Sequence, residues 1–190
     1  MAKEKKVDIE LSNEAPKKGF FSKIFKGKSE QHKVLSHIKS SNIKNFLFYT
    51  DVSNCLLILE QGIRTLNERK LKKGEEYTVW TYLENSNSIG LEFDSSTRAN
   101  FWKWATNAKI DVAKVAVIAV DPAKLAKICK KDWAFDHVAN VVYVYETIPP
   151  EAISWIMIKD RKNLQRIKTI VEGNGINIKV FYGENGNIEE

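Results

Sequence analysis

From residue 29 onward the apolar residues come in short blocks set apart by polar breakers, and the period inside each block separates helix from strand. Val34, Leu35 and Ile38 share one side of an amphipathic helix predicted over Ser29–Ser40. Asn45–Thr50 reads as a strand. A helix follows over Asn54–Gln61, which Asp51 or Ser53 can cap and Gly62 ends, as a glycine able to take positive φ. Tyr77–Tyr82 and Ser88–Phe93 alternate as strands, with Asn85-Ser86-Asn87 as turn residues between them. Asp94, Ser95 or Ser96 then caps a helix through about Ala108, with Phe101, Trp102, Trp104 and Ala105 on its inner surface.

Val115–Val120 predicts a buried strand, and Asp121-Pro122 opens a short helix with aspartate as N-cap and proline in the first turn. Leu125, Ile128 and Cys129 are its apolar positions, and Lys130–Asp136 reads as a loop with two aromatics, suited to a substrate-facing loop or a lid. From Asn140 a run of β-branched and aromatic residues predicts a strand that Pro149-Pro150 stops, because neither proline can donate to a ladder. Glu151–Ile153 fits one helical turn and Trp155–Ile158 a second strand. Asp160 caps a helix through Val171, with Leu164, Ile167, Ile170 and Val171 inside; Ile176–Tyr182 is the last strand. The order predicts an α+β fold with a sheet of several short strands.

Composition narrows this to a single folded unit over 34–183, between a basic tail (1–33) and a polar one (184–190). The net charge of +6 is concentrated: residues 1–33 hold nine lysines against five acids, so the body is near neutral and offers no broad nucleic-acid footprint. Residues 1–18 are polar without a period and are expected to be disordered. Between Gly19 and Lys28, Phe21, Ile24 and Phe25 would share a helical face, with Lys23 and Lys26 elsewhere. Residues 17–28 can thus meet an anionic membrane surface or a partner, or serve as a linker whose aromatics fold back on the body. No apolar run approaches the roughly 20 residues of a membrane span, and no signal-peptide pattern opens the chain, so the expected compartment is the cytoplasm. Cys55 and Cys129 are expected as reduced, buried thiols. His32, His37 and His137 do not combine with them in a zinc spacing, and no Gly-rich phosphate loop occurs.

Thr50, Asn54, Ile58-Leu59 and Gly62 behind an aromatic strand resemble the opening of DarT-type ADP-ribosyltransferases. The ending also resembles that family: a strand, Ile148-Pro149-Pro150, a turn, then strand, helix and strand. The resemblance covers most of residues 45–182. It implies an ADP-ribosyltransferase-like split β-sheet body with flanking helices, and NAD as substrate. It also implies ADP-ribose transfer to nucleic acid, or to protein, as a toxin or defence effector. By resemblance Phe48, Tyr49, Thr50 and Asn54 line the NAD pocket, and Tyr82 or Trp80 stacks on nicotinamide; core or cross-strand packing is the other reading of these two aromatics. Arg64 can meet a pyrophosphate as a planar fork donor or lie on the surface, in a basic segment shorter than the one with which the family holds nucleic acid.

Two positions depart from the family. A histidine usually stands two residues before the threonine, where this chain has Phe48. The family glutamate begins the strand that enters the proline turn, and counting back from Ile148-Pro149 puts Val141 there. Cleaving the nicotinamide bond builds oxocarbenium character on the ribose, which a carboxylate can stabilise and a valine cannot. Glu146 is the only acid on this strand and the first candidate for that carboxylate. Strand alternation places it with Val142 and Val144, opposite Val141, Tyr143 and Tyr145, unless a bulge resets the parity. Glu92, on another strand, is a further substitute. The chain is thus either an NAD-dependent transferase with a displaced acid or a non-catalytic domain of that fold binding a nucleotide, nucleic acid or protein. A third reading, resting on the basic aromatic tail alone, is a membrane-surface adaptor.

Overall fold

The computed structural model describes residues 29–65, 87–94, 102, 105, 106 and 109–186. The basic tail up to residue 28, the strand expected at Tyr77–Tyr82 and most of the helix expected after Asp94 lie outside these residues.

The elements follow in the order α1 (Glu30–Ser40), β1 (Phe46–Asp51), α2 (Cys55–Gln61), β2 (Ile89–Phe93), β3 (Val115–Val120), α3 (Pro122–Ile128), β4 (Ala134–Asp136), β5 (Val141–Val144), β6 (Ile153–Ile158), α4 (Arg161–Gly173) and β7 (Lys179–Tyr182). The α+β expectation holds. The strands form one seven-stranded sheet in the order β4-β5-β2-β1-β3-β6-β7. Its ladders are antiparallel apart from β6–β7, which is parallel and joined through α4, as a parallel pair requires.

This sheet is nearly divided in two. β1 pairs with β3 over six residues, from Phe46↔Val120 to Asp51↔Val115, but with β2 only at Phe46↔Phe93 and Leu47↔Glu92. Asn45 reinforces that end: its carbonyl accepts from the Asp94 amide at 3.0 Å and its Nδ2 donates to Asp94 Oδ2 at 3.0 Å. Beyond Leu47 the ladder stops, so Phe48–Asp51 and Ile89–Leu91 bound a gap that the strand register would otherwise close. The split body expected from the sequence is this parting into β4-β5-β2 and β1-β3-β6-β7, pinned at one end.

Strand alternation assigns the two faces different tasks. One face carries Phe46, Phe48, Leu91, Ile118, Val142, Val144 and Ile156, and helices α1–α4 pack on it through residues such as Val34, Ile58, Leu125 and Ile167. The other carries a second cluster of Leu47, Tyr49, Val115, Val117, Ala119, Trp155 and Met157, covered by Trp102 and Ala105. Trp102 Nε1 donates to the Gly183 carbonyl, which anchors the indole. Its role is therefore core packing.

Several local expectations are borne out. Asp121 Oδ1 accepts from the Ala123 and Lys124 amides at 2.8 and 3.0 Å, with Pro122 in the first turn. Asp160 Oδ1 accepts from the Lys162 amide at 2.9 Å. Others need correction. Neither Asp51 nor Ser53 caps α2, because the chain enters it through a 3-10 turn over Val52–Asn54. Ile128 is exposed and Cys129 half-buried, because α3 is one seven-residue helix whose sheet-facing position is Leu125. The Lys130–Asp136 segment is not an open loop: Ala134–Asp136 forms an edge strand, and Trp133 is buried edge-on against Phe46 at 5.5 Å between ring centroids.

Gly62 takes φ +78°, as its place after α2 predicts, and has a second reason to lack a side chain. Ile63 and Ile148 exchange backbone hydrogen bonds at 2.9 and 2.8 Å, pinning the exit of α2 to the proline turn. A Cβ on Gly62 would stand 2.3 Å from the Ile148 carbonyl oxygen. Gly62→Ala is therefore expected to lower the unfolding free energy by more than about 1 kcal/mol in urea denaturation. An unchanged midpoint would show that the bridge shifts freely.

Candidate functional site

The second face changes character where the sheet parts. On β1, β3, β6 and β7 it is an apolar core, and none of that cluster comes from β2, β4 or β5. Cross-strand partners share a face, so the register continues that face from Leu47 to Glu92, Val141 and Asp136, and one step along to Gly90 and Tyr143. A glutamate, an aspartate, a tyrosine and a glycine thus replace the core residues of the other half-sheet. Glu92 stands at the pinned end of the gap, half-buried, with its Oε2 shielded from solvent. Gly90, two residues back on the same face, is buried. Tyr143 is half-buried, and its hydroxyl is pushed up from the ordinary tyrosine range, by burial first and then by the charge of Asp136. Asp136 is itself committed: its Oδ1 accepts from the Val138 and Ala139 amides at 2.8 and 2.9 Å and shapes the β4–β5 turn.

The other residues singled out from the sequence divide between the faces. Phe48 lies within the helix-covered core, while Tyr49 joins the second cluster. As neighbours on one strand they point to opposite sides. Thr50 and Asn54 are brought together, with Asn54 Nδ2 donating to Thr50 Oγ1 at 2.9 Å across the 3-10 turn. Thr50 is buried and shares the Phe48 side of β1, opposite the side of Leu47, Tyr49 and Glu92. Arg64 is half-buried one residue past the Ile63–Ile148 bridge, so the exit of α2 is fixed where its guanidinium begins. Tyr82 lies outside the described residues.

Glu146 has left the ladder, because β5 ends at Val144. Its Oε1 accepts from the Lys130 and Lys131 amides at 2.8 and 2.7 Å, and Lys131 Nζ donates to the Tyr145 carbonyl at 2.9 Å. Next along, Asp132 accepts from the Glu30 and Gln31 amides, both at 2.9 Å, and so caps α1 from a distance. Glu146 thereby holds the loop that holds the first helix. It also lies beside Cys129, whose thiol is pushed up to about 11, by burial first and then by the Glu146 charge. Cys55 is pushed up to about 12, by burial first and then by Asp51. Both thiols are free, as expected. Among the described residues no cluster of histidine, cysteine and acid side chains could hold a metal ion, and no helix is long and apolar enough to cross a membrane.

Two outcomes follow. Above pH 9.0, the ordinary thiol value, the unfolded chain sheds thiol protons that the folded chain keeps to about 11 at Cys129 and about 12 at Cys55. Stability from the thiols is therefore complete below pH 9.0 and is lost as pH rises through those values. Glu146→Ala is expected to cost about 1.5–3 kcal/mol in urea denaturation, since it removes a charged acceptor from two amides. It should also make Cys129 react faster with a thiol reagent near pH 9; unchanged stability and reactivity would show that the carboxylate does not hold the loop.

No family model matches the chain, and no curated protein matches it. Among solved structures it is similar to Thermosipho africanus DarTG in complex with ADP-ribose, at 14% identity and a TM-score of 0.52, over 74% of this chain and 50% of that one. It is also similar to Thermus sp. 2.9 DarT in complex with carba-NAD+, at 12% identity and a TM-score of 0.48, over 74% of this chain and 96% of that one. The chain thus spans half the length of the DarTG chain. At such identity the likeness speaks for the fold. The split sheet with its flanking helices is the ADP-ribosyltransferase-like fold of the DarT proteins.

Proposed function

We propose that this chain binds NAD along the gap between β1 and β2 and transfers its ADP-ribose part to a nucleic-acid or protein acceptor. The observation that carries this reading is a DarT-like fold whose half-sheets part at a polar, carboxylate-bearing face. The residues where β1 runs into α2 offer groups that suit such a substrate. Thr50 offers a hydroxyl, Asn54 a carboxamide and Arg64 a planar fork of donors, which together suit the hydroxyls and pyrophosphate of NAD. The Asn54–Thr50 hydrogen bond fixes both side chains before a ligand arrives, which lowers the ordering cost of binding. A role as toxin or defence effector in the cytoplasm belongs to the same proposal. So does added affinity for an anionic partner, nucleic acid or membrane surface, through the basic residues 17–28.

A second reading is favoured by Phe48 and Val141. Both are buried apolar residues at positions where the resemblance asks for a histidine and a glutamate. A domain with those losses binds a nucleotide, nucleic acid or protein without turning NAD over.

Calorimetry with NAD, followed by incubation with labelled NAD and a mixed panel of nucleic acids and proteins, separates the two. The first reading expects saturable binding, label on one acceptor class, and at least about tenfold weaker binding in Thr50→Val/Asn54→Ala, about 1.4 kcal/mol. Binding without transfer or NAD breakdown supports the second. Absence of NAD binding removes the transferase reading.

A further inference from the structure

We propose that the outward side of α3 and the loop after it dock on an anionic membrane surface, with residues 17–28 docking beside them; this builds on the affinity proposed for those residues and is independent of the NAD reading. The helix supplies the first observation. α3 turns Leu125 to the sheet and leaves Lys124, Lys127 and Ile128 exposed. These three stand at i, i+3 and i+4, so they share one helical face. Ile128 is 42% exposed, one of four large hydrophobic side chains exposed among the described residues. Tyr145 is another, and it lies close by. The basic line runs on through Lys130 and Lys131, both exposed, and Lys131 Nζ donates to the Tyr145 carbonyl at 2.9 Å. Glu146 Oε1 fixes both lysines by their backbone amides.

The acids of this stretch do not cancel the lysines. Asp121 and Glu146 are half-buried and accept from backbone amides. Asp132 is exposed, but its two oxygens face the Glu30 and Gln31 amides at the positive end of α1. Glu151, on the turn packed beside α3, is exposed and opposes one of the four lysines. The hold of Asp132 on α1 is the second observation, because it fixes where the N-terminal segment joins the body: next to Lys130 and Lys131. Residues 17–28 hold five lysines, no acid, and the apolar side chains Phe20, Phe21, Ile24 and Phe25. Two weak signals are thereby tethered to one loop, and their affinities combine.

The chemistry favours a lipid surface over nucleic acid. Every basic residue in the stripe and in residues 17–28 is a lysine. Recognition of single phosphates favours the planar fork of arginine, whereas point charges on flexible stems suit the diffuse potential of an anionic leaflet. Apolar side chains set among the charges have no counterpart on a phosphate backbone but bury between lipid headgroups. Tyrosine is likewise suited to the level of the headgroups. α3 packs on the helix-covered face, so docking through its outward side leaves the Glu92 and Tyr143 face turned away from the bilayer.

The test uses the full chain and co-sedimentation with vesicles of phosphatidylcholine alone, or of phosphatidylcholine with about a third phosphatidylserine. Wild type is expected to sediment with the second kind only, and to be released as salt rises. Lys124→Gln with Lys127→Gln should weaken that binding at least about tenfold, and Ile128→Ser a few-fold. These side chains are exposed, so both variants should keep the wild-type melting temperature and calorimetric response to NAD. A single-stranded oligonucleotide at the same salt serves as the rival partner. Wild type that ignores both vesicles, or binds them equally, overturns the proposal. So does an oligonucleotide that strips wild type from the anionic vesicles and loses affinity in the lysine variant, which would make the stripe a nucleic-acid contact. Unchanged vesicle binding in that variant overturns the assignment to α3.

Discussion

Two residue pairs hold the two halves of this sheet together, and the character of the site depends on them. Phe46↔Phe93 and Leu47↔Glu92 are the whole ladder between β1 and β2, stiffened by the Asn45–Asp94 contacts just below. A longer ladder would give a flat, continuous sheet with an unbroken second core. The short one lets β1 keep six pairs to β3 and β2 keep four to β5 while the two part above the pin. The pin itself carries a charged residue. Phe93 packs into the helix-covered core, with its ring stacked on Phe46, while Glu92 faces the other side. The same residue pair therefore closes the fold and presents the carboxylate.

The helix-covered face follows from this constraint. The four helices α1–α4 pack on one side, so that side is a single core running from β5 to β6, across the parting. It keeps the half-sheets from separating where backbone pairing fails. The opposite side is relieved of that task, and beyond β1 its residues change from leucine, tyrosine and valine to glutamate, glycine and tyrosine. Glu146 belongs to the supporting machinery. From the end of β5 it organises the 130–133 loop, and through Asp132 that loop caps α1.

Much of the fold was legible in the sequence because its signals are local. Asp121-Pro122 and Asp160 cap the helices they announce, Gly62 takes the positive φ its place demands, and Val115–Val120 is a buried strand throughout. The parity of the Val141 strand was legible too, since Val142 and Val144 face the helices, while Glu146 lies beyond the end of that strand. Pairing between distant strands was not legible. Glu92 and Val141 are 49 residues apart, and nothing local in either segment announces that they meet. The short edge strand Ala134–Asp136 was missed for a related reason, since three residues show no period and its pairing with β5 alone makes it a strand.

The central claim is that the gap above the Leu47–Glu92 pair is a binding site for NAD. Amide chemical-shift mapping during titration with NAD tests it directly, because it reports location whether or not turnover occurs. The account predicts the largest shifts at Thr50, Asn54, Gly90 and Glu92, with the Lys130–Trp133 loop and the β6–β7 edge little changed. Shifts confined to that loop or that edge, or none at saturating NAD, would contradict it.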